Sequence, residues 1–488
     1  GLVAVVIQMT MCMSGFIVAY FIAPAWRKTN RLTAAEFIRD RLGKDVQQLL
    51  TYIILSLSLV YAGAFLYPVA KIINVSTGFS IQSCIIALGT LILIYTVAGG
   101  LWAVIITDVL QFVILTIAVI LVVYLSLEEV GGWAQFIAQV PPHFFHLTNE
   151  EYNWSFVVGI GIFNVVYIGG NWAYVQRYIS VKNPQDAKKV GLTFGWLYLL
   201  SPFLWMLPPM VYRIINPSLV GLENEGAYLL ICKAVLPVGF LGLMLGGMIF
   251  ATASSVNTTL NLAASVITND LFKTFAPNAS LKKTMWVARF STVLFGVGAI
   301  IMALLVPAAG GIVNVVLSVG AVTGCSLYAP VIWAMFSKRQ TSRSIITITL
   351  ISLSLNVFLK FFSPHAFGSS LSRGNEMLMG ALIPLFFLVV YELYLMVKIE
   401  FSIQYLHYIK MKGTIEEMAH KNEDQNAYAY KVLSTTLVVI SILVFVLAFI
   451  SPSLEAIVLL MGGLLFFIGI ALHPTLKKQI KLYFKTHD

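Results

Sequence analysis

Charge is scarce in this chain: 11% of its 488 residues are Asp, Glu, Lys or Arg, and no polar stretch is long enough to form a soluble catalytic domain. Cysteine is nearly as sparse. The four present (Cys12, Cys84, Cys232, Cys325) sit in or beside apolar runs with no metal-ligand spacing and no readable disulfide framework, so they are expected to be small packing residues. There is no His-Glu-x-x-His, no pair of intramembrane aspartates and no Gly-x-Ser-x-Gly, which removes the common membrane-embedded hydrolases and argues against an enzyme. No basic n-region or small-residue cleavage site precedes the first apolar run, which starts within a few residues of Gly1. It is therefore no signal peptide, and the chain is expected to be N-terminally incomplete.

Apolar length is what the chain has in abundance. A helix needs about 20 mostly apolar residues to cross the hydrocarbon. Thirteen stretches qualify, at residues 2–26, 50–72, 79–97, 101–126, 154–177, 189–213, 238–270, 287–306, 312–336, 344–362, 376–398, 433–451 and 454–472. The expected class is an all-α polytopic membrane protein. Numbering the loops alternately puts 26 of the 31 Lys and Arg on one side and five on the other. The positive-inside rule makes the rich side cytoplasmic, with an external start and a cytoplasmic C-terminus, and it is multi-pass in the cell (inner) membrane. The net charge of +10 is then a topology signal and gives no reason to expect a nucleic-acid partner.

Three segments stand apart from the spans. Residues 127–153 carry no Lys or Arg and are expected to hold a short interfacial helix outside. Residues 27–48 open with Thr33-Ala-Ala-Glu36, a capping-box signal for a cytoplasmic helix whose apolar face includes Phe37 and Ile38. Residues 401–432 are polar and mixed in charge and read as a cytoplasmic linker. This divides the chain into a transporter-like core at 1–400, the linker, two further spans at 433–473 and a tail at 474–488.

Polar groups inside spans mark where chemistry is expected, because each costs free energy in hydrocarbon. Asp108 lies about eight residues into the fourth span, roughly 12 Å deep. Glu392 lies near the end of its own span, where a long side chain reaches the interface. The seventh span holds Ala251-Thr-Ala-Ser254-Ser255-Val-Asn257-Thr258-Thr259-Leu-Asn261, seven of whose eleven side chains carry a hydroxyl or amide. Such oxygens suit a hard monovalent cation, replacing its water without the charge that would trap it. Ser and Thr also let helices approach closely. The depth of Asp108, level with this cluster, favours the ion. The fifth span carries Gly159, Gly161, Gly169 and Gly170 with Asn164 and Asn171. Glycine-interrupted spans unwind at mid-membrane and offer backbone to a ligand, and Tyr167 stands beside that break. A tight helix crossing is the competing reading.

Thr33-Ala-Ala-Glu36-Phe37 through Arg41, Gly99-Gly100 through Thr107-Asp108 and Gln111, Gln176-Arg177, and Ala251 through Asn261 with Asp270 carry a resemblance. The chain resembles the sodium:solute symporter family, of sodium–glucose cotransporters and proline permeases, on the inverted-repeat fold typified by LeuT. The resemblance covers about residues 5–400 and implies two five-helix inverted repeats, with this chain starting at the second core helix. It implies Na⁺ as coupling ion, held by the Ala251 carbonyl and the Ser254 and Ser255 hydroxyls. A second Na⁺ site would match Asp108, Ser254, Asn257 and Thr258. Galactose-transporting members use an asparagine and a gate tyrosine that match Asn164 and Tyr167. Gln8 stands where they carry a carboxylate, and Tyr198 where they carry a lysine. The implied activity is Na⁺-coupled import of a small polar organic solute, sugar or polyol favoured, by alternating access, with solute, Na⁺ and bilayer as partners and no obligate protein partner. A proton-coupled carrier of the same fold and a symporter-like sensor module are the alternatives.

Overall fold

The structure, a computed structural model, describes residues 1–98, 101–272, 276, 278–367, 370–398 and 401–416, with isolated positions beyond (434, 435, 438, 441, 442, 445, 459, 463, 466, 467 and 470). Helices follow one another as α1 (Val3–Ile17), α2 (Ala23–Lys28), α3 (Ala34–Leu42), α4 (Lys44–Thr77), α5 (Ile81–Ala98), α6 (Leu101–Glu129), α7 (Trp133–Gln139), α8 (Trp154–Gly170), α9 (Trp172–Ile179), α10 (Pro184–Ile215), α11 (Ala227–Val235), α12 (Val238–Val266), α13 (Leu281–Leu305), α14 (Ile312–Val319), α15 (Cys325–Phe336), α16 (Ser342–Phe367), α17 (Arg373–Lys398) and α18 (Ile403–Glu416). The first eleven expected spans each coincide with a helix, or with helices joined at a break or π-turn. The last two fall almost wholly outside the described residues. By length and apolarity, eight helices among the described residues are able to cross a membrane, and up to ten if each bent pair is one span.

The chain divides into two compact units. One comprises residues 1–57, 140–207 and 309–420. Its core gathers Trp26, Phe37, Ile38, Tyr178, Val331 and Leu388, all but excluded from solvent. Close approach of α8 to α17 depends on Gly159, where a Cβ would stand 2.6 Å from the Leu378 amide nitrogen. The packing role weighed for these glycines is thus realised at that position. The other unit comprises residues 58–139, 208–308 and 421–488. There α6 meets α12 at Gly247, where a Cβ would stand 3.0 Å from Leu115 Cδ2. The expected short helix in residues 127–153 is α7, and all four cysteines are buried and unpaired.

Thr33 caps α3 as its spacing predicts, its hydroxyl accepting from the Glu36 amide at 3.0 Å. The reciprocal bond comes from the Leu32 amide to Glu36 Oε2 at 2.9 Å, one residue earlier than the usual box. The polar stretch after residue 400 opens with a helix, α18, docked on α3 through an edge-to-face contact of Tyr408 with Phe37 at 5.7 Å. Ile403, Leu406, Tyr408 and Ile409 supply its apolar residues, which composition averaged over the whole stretch conceals.

Glu392, on α17, does not reach for the surface. It is buried, and its carboxylate accepts from Ser337 Oγ (2.7 Å), Gln340 Nε2 (2.9 Å) and Trp333 Nε1 (3.2 Å), with Arg339 at 3.9 Å. Ser337 and Gln340 in turn offer their carbonyls to the buried guanidinium of Arg41, at 2.8 and 3.3 Å. Burial pushes the Arg41 pKa down to about 10, against the pull of Tyr405, Tyr408 and Glu392, so the side chain stays charged at neutral pH. One acidic and one basic side chain thereby hold α3 and α17 to the turn between α15 and α16.

Candidate functional site

The glycine-rich fifth span breaks where its sequence predicts. α8 ends at Gly170, Asn171 adopts an extended backbone, and α9 leaves at 52° to α8. Asn171 serves both halves: its Oδ1 accepts from the Ala173 amide at 3.0 Å, capping α9, and its Nδ2 donates to the Tyr328 hydroxyl at 3.1 Å. A helix end frees carbonyls. Those of Ile168 and Gly169 are not left for a ligand, as the sequence suggests; Tyr178 Oη donates to the first at 3.3 Å and Trp26 Nε1 to the second at 2.7 Å.

Asn164 is buried one and a half turns before the break and donates to Thr10 Oγ1 at 2.8 Å, linking α8 to α1. Ser14, one turn along α1, adds a 3.3 Å bond to the Gly161 carbonyl. Tyr167 stacks on Phe163 (5.3 Å) and meets Tyr174 (6.0 Å) and Tyr328 (5.9 Å) edge-on. Tyr174 continues to Phe194 at 5.8 Å, and Phe194 to Tyr198 at 4.6 Å. Tyr167 and Tyr198 therefore belong to one aromatic chain. Gln8 is half-buried on α1, two residues from Thr10 and so on another face, and makes no hydrogen bond among the described residues. Thr10, Phe163, Tyr174 and Tyr328 were not singled out in the sequence; Thr10 and Tyr328 come from distant segments that only the fold brings to Asn164 and Tyr167.

In the other unit, α12 runs unbroken through the hydroxyl cluster. Ala251, Ser254, Ser255 and Thr258 recur at i, i+3, i+4 and i+7 and so share one face. Hydroxyls in helices commonly fold back on a carbonyl one turn earlier. Thr252 and Thr259 do, onto Met248 (2.8 Å) and Ser255 (2.9 Å). Ser255 and Thr258 do not, and both are exposed. Oxygens of this kind are the type of ligand a hard monovalent cation takes. Asn257 sits roughly 60° round the helix from Ser254. It is 2% exposed and accepts from Asn261 Nδ2 at 2.8 Å. Asp108 lies on α6, and its side chain falls outside the described residues. Its backbone position is seven residues from Leu115, as Ser254 is from Gly247, along helices that run oppositely by the span count. The two positions are thus level, each about 10 Å from the Leu115–Gly247 contact.

One unit holds a span broken at Asn171 and the other a span with hydroxyls along one face, both recurrent features of ion-coupled secondary transporters. The model of the sodium:solute symporter family matches residues 1–351, and the chain belongs to that family, whose members are transporters with Na⁺ as coupling ion. The chain is 27% identical over 380 residues to a sodium/glucose cotransporter of Vibrio parahaemolyticus, covering 71% of this chain and 69% of that protein. It is 27% identical over 375 residues to sodium/glucose cotransporter 1 of Ovis aries (66% and 56%). Against sodium-coupled monocarboxylate transporter 2 of Homo sapiens it is 26% identical over 320 residues (62% and 51%). The match spans little more than half the length of those animal relatives. A solved structure of a Na⁺-coupled sialic acid symporter, substrate-bound and outward-open, superposes with a TM-score of 0.65 at 20% identity, covering 80% of this chain and 83% of the other. Mhp1, a nucleobase-cation-symport-1 transporter, gives 0.50 at 15% identity in a closed conformation (84% and 89%). These likenesses establish a LeuT-type fold.

Proposed function

We propose that the protein imports a small polar organic solute, with sugars and polyols favoured, in symport with Na⁺ across the cell membrane, its C-terminus cytoplasmic. The observation that supports the reading is the row of Ser254, Ser255 and Thr258 along one face of α12. Ala251, Ser254 and Ser255 would hold the coupling ion, with Asp108 and Thr258 level with or adjoining them and Asn257 on the flank. Neutral oxygens release Na⁺ readily, as a transport cycle demands. Gln8, Asn164, Tyr167 and Tyr198 would address the solute. Aromatic faces and amides, with no Lys or Arg among them, favour a neutral hydroxylated molecule, and the names of the sodium/glucose cotransporters among the relatives point the same way.

The driving force suffices. One charge crossing 100 mV supplies about 2.3 kcal/mol, and a tenfold Na⁺ gradient about 1.4 kcal/mol. Together they sustain a solute gradient of several hundredfold per ion. Proteoliposomes of the full-length protein, tested with radiolabelled sugars, polyols and monocarboxylates, should concentrate one class when external Na⁺ is imposed. They should fail to do so with choline in its place at fixed pH. Equal accumulation in choline would refute Na⁺ coupling, and accumulation driven by an acid pulse instead would favour protons.

A further inference from the structure

Trp26, on the short helix α2, is wholly buried and is none of the residues assigned to the ion or solute. Its indole N–H donates to the Gly169 carbonyl at 2.7 Å, one of the two carbonyls released where α8 stops. A buried carbonyl left without a donor is costly, so this bond stabilises the broken state of the span over a continuous helix. The ring is fixed in turn. Phe37 meets it edge-on at 5.2 Å from α3, and Tyr408 meets Phe37 edge-on at 5.7 Å from α18. The Thr29 hydroxyl closes the end of α2 on the Trp26 carbonyl at 2.7 Å.

We propose that Trp26 is a positioning residue for the α8–α9 break, holding the Gly169 carbonyl while the Phe37–Tyr408 stack holds the indole, so that the seating of α18 bears on the geometry around Tyr167. The Gly169 carbonyl lies two residues beyond Tyr167, and Asn171 at the break reaches Tyr328, a neighbour of the Tyr167 ring. A shift of the Gly169 carbonyl thus alters the aromatic wall directly. The consequence for transport rests on the proposed solute site; the contact itself does not.

Hydrogen exchange on purified full-length protein, without Na⁺ or solute, tests the contact independently of that site. Trp26→Phe keeps a ring against Phe37 and removes only the donor. Exchange over residues 169–175 should rise at least about tenfold, as loss of one buried hydrogen bond implies, with 156–166 unchanged. Tyr408→Ala, at the outer end of the stack, should produce a smaller rise in the same segment. It decides the question alone if Trp26→Phe fails to fold. Unchanged exchange over 169–175, or equal acceleration along all of α8, overturns the proposal. A rise in Trp26→Phe but none in Tyr408→Ala overturns the role of α18. Where a transported solute is in hand, Trp26→Phe should raise its KM and leave the Na⁺ dependence of kcat in place.

Discussion

Replacing Ser254 and Ser255 together by Ala should abolish Na⁺-stimulated uptake by the full-length carrier while leaving the protein folded in the membrane. Each hydroxyl offered to an ion is worth about 1.5–3 kcal/mol. Losing two should weaken Na⁺ binding by at least about a hundredfold, beyond any ordinary gradient. The fold should tolerate the change, because Ala has the higher helix propensity and Ser255 is exposed on the helix. Thr252→Ala is the matched control. It removes a hydroxyl from the same helix, but one already bonded to the Met248 carbonyl, so its Na⁺ activation should stay near wild type. Asp108→Asn should weaken Na⁺ dependence more than solute recognition. Uptake measured against Na⁺ concentration for the variants separates these outcomes; a double variant with unchanged Na⁺ activation removes the ion from α12.

Glu392→Ala should be among the most damaging single substitutions for stability. The carboxylate serves Ser337, Gln340 and Trp333 at once, and its removal strands buried donors beside the charged Arg41. Breaking one side of a buried ionic network costs about 3–5 kcal/mol, which for a chain of this size is a fall in Tm of about 3–5 °C. Glu392→Gln keeps an acceptor oxygen and should fall by less than half as much. Thermal unfolding in detergent, followed by loss of the monodisperse peak, checks both. A Glu392→Ala protein as stable as wild type would show that the network adds nothing.

The membrane helices were legible because hydrocarbon imposes a length and the loops impose a sign. The break in α8–α9 was legible because Gly169-Gly170-Asn171 weakens a helix locally, and the hydroxyl face of α12 because its period is fixed by one helix. What escaped were contacts between segments distant in sequence. Thr10 with Asn164, Trp26 with Gly169 and the chain from Tyr167 to Tyr198 each join helices whose mutual register no local pattern encodes. The freed carbonyls illustrate the same boundary. The sequence implies that they exist, but only the fold shows that Trp26 and Tyr178 take them. Glu392 reads as a surface-seeking carboxylate until the turn at Ser337–Gln340 is seen closing over it.

Equilibrium binding of radiolabelled Na⁺ to the purified full-length protein, with choline as the balancing salt and no solute present, decides whether α12 is an ion site. Saturable binding that is displaced by unlabelled Na⁺, retained in Thr252→Ala and lost in the Ser254→Ala/Ser255→Ala double variant is the result this structure predicts. Saturable binding that survives in a correctly folded double variant would contradict it.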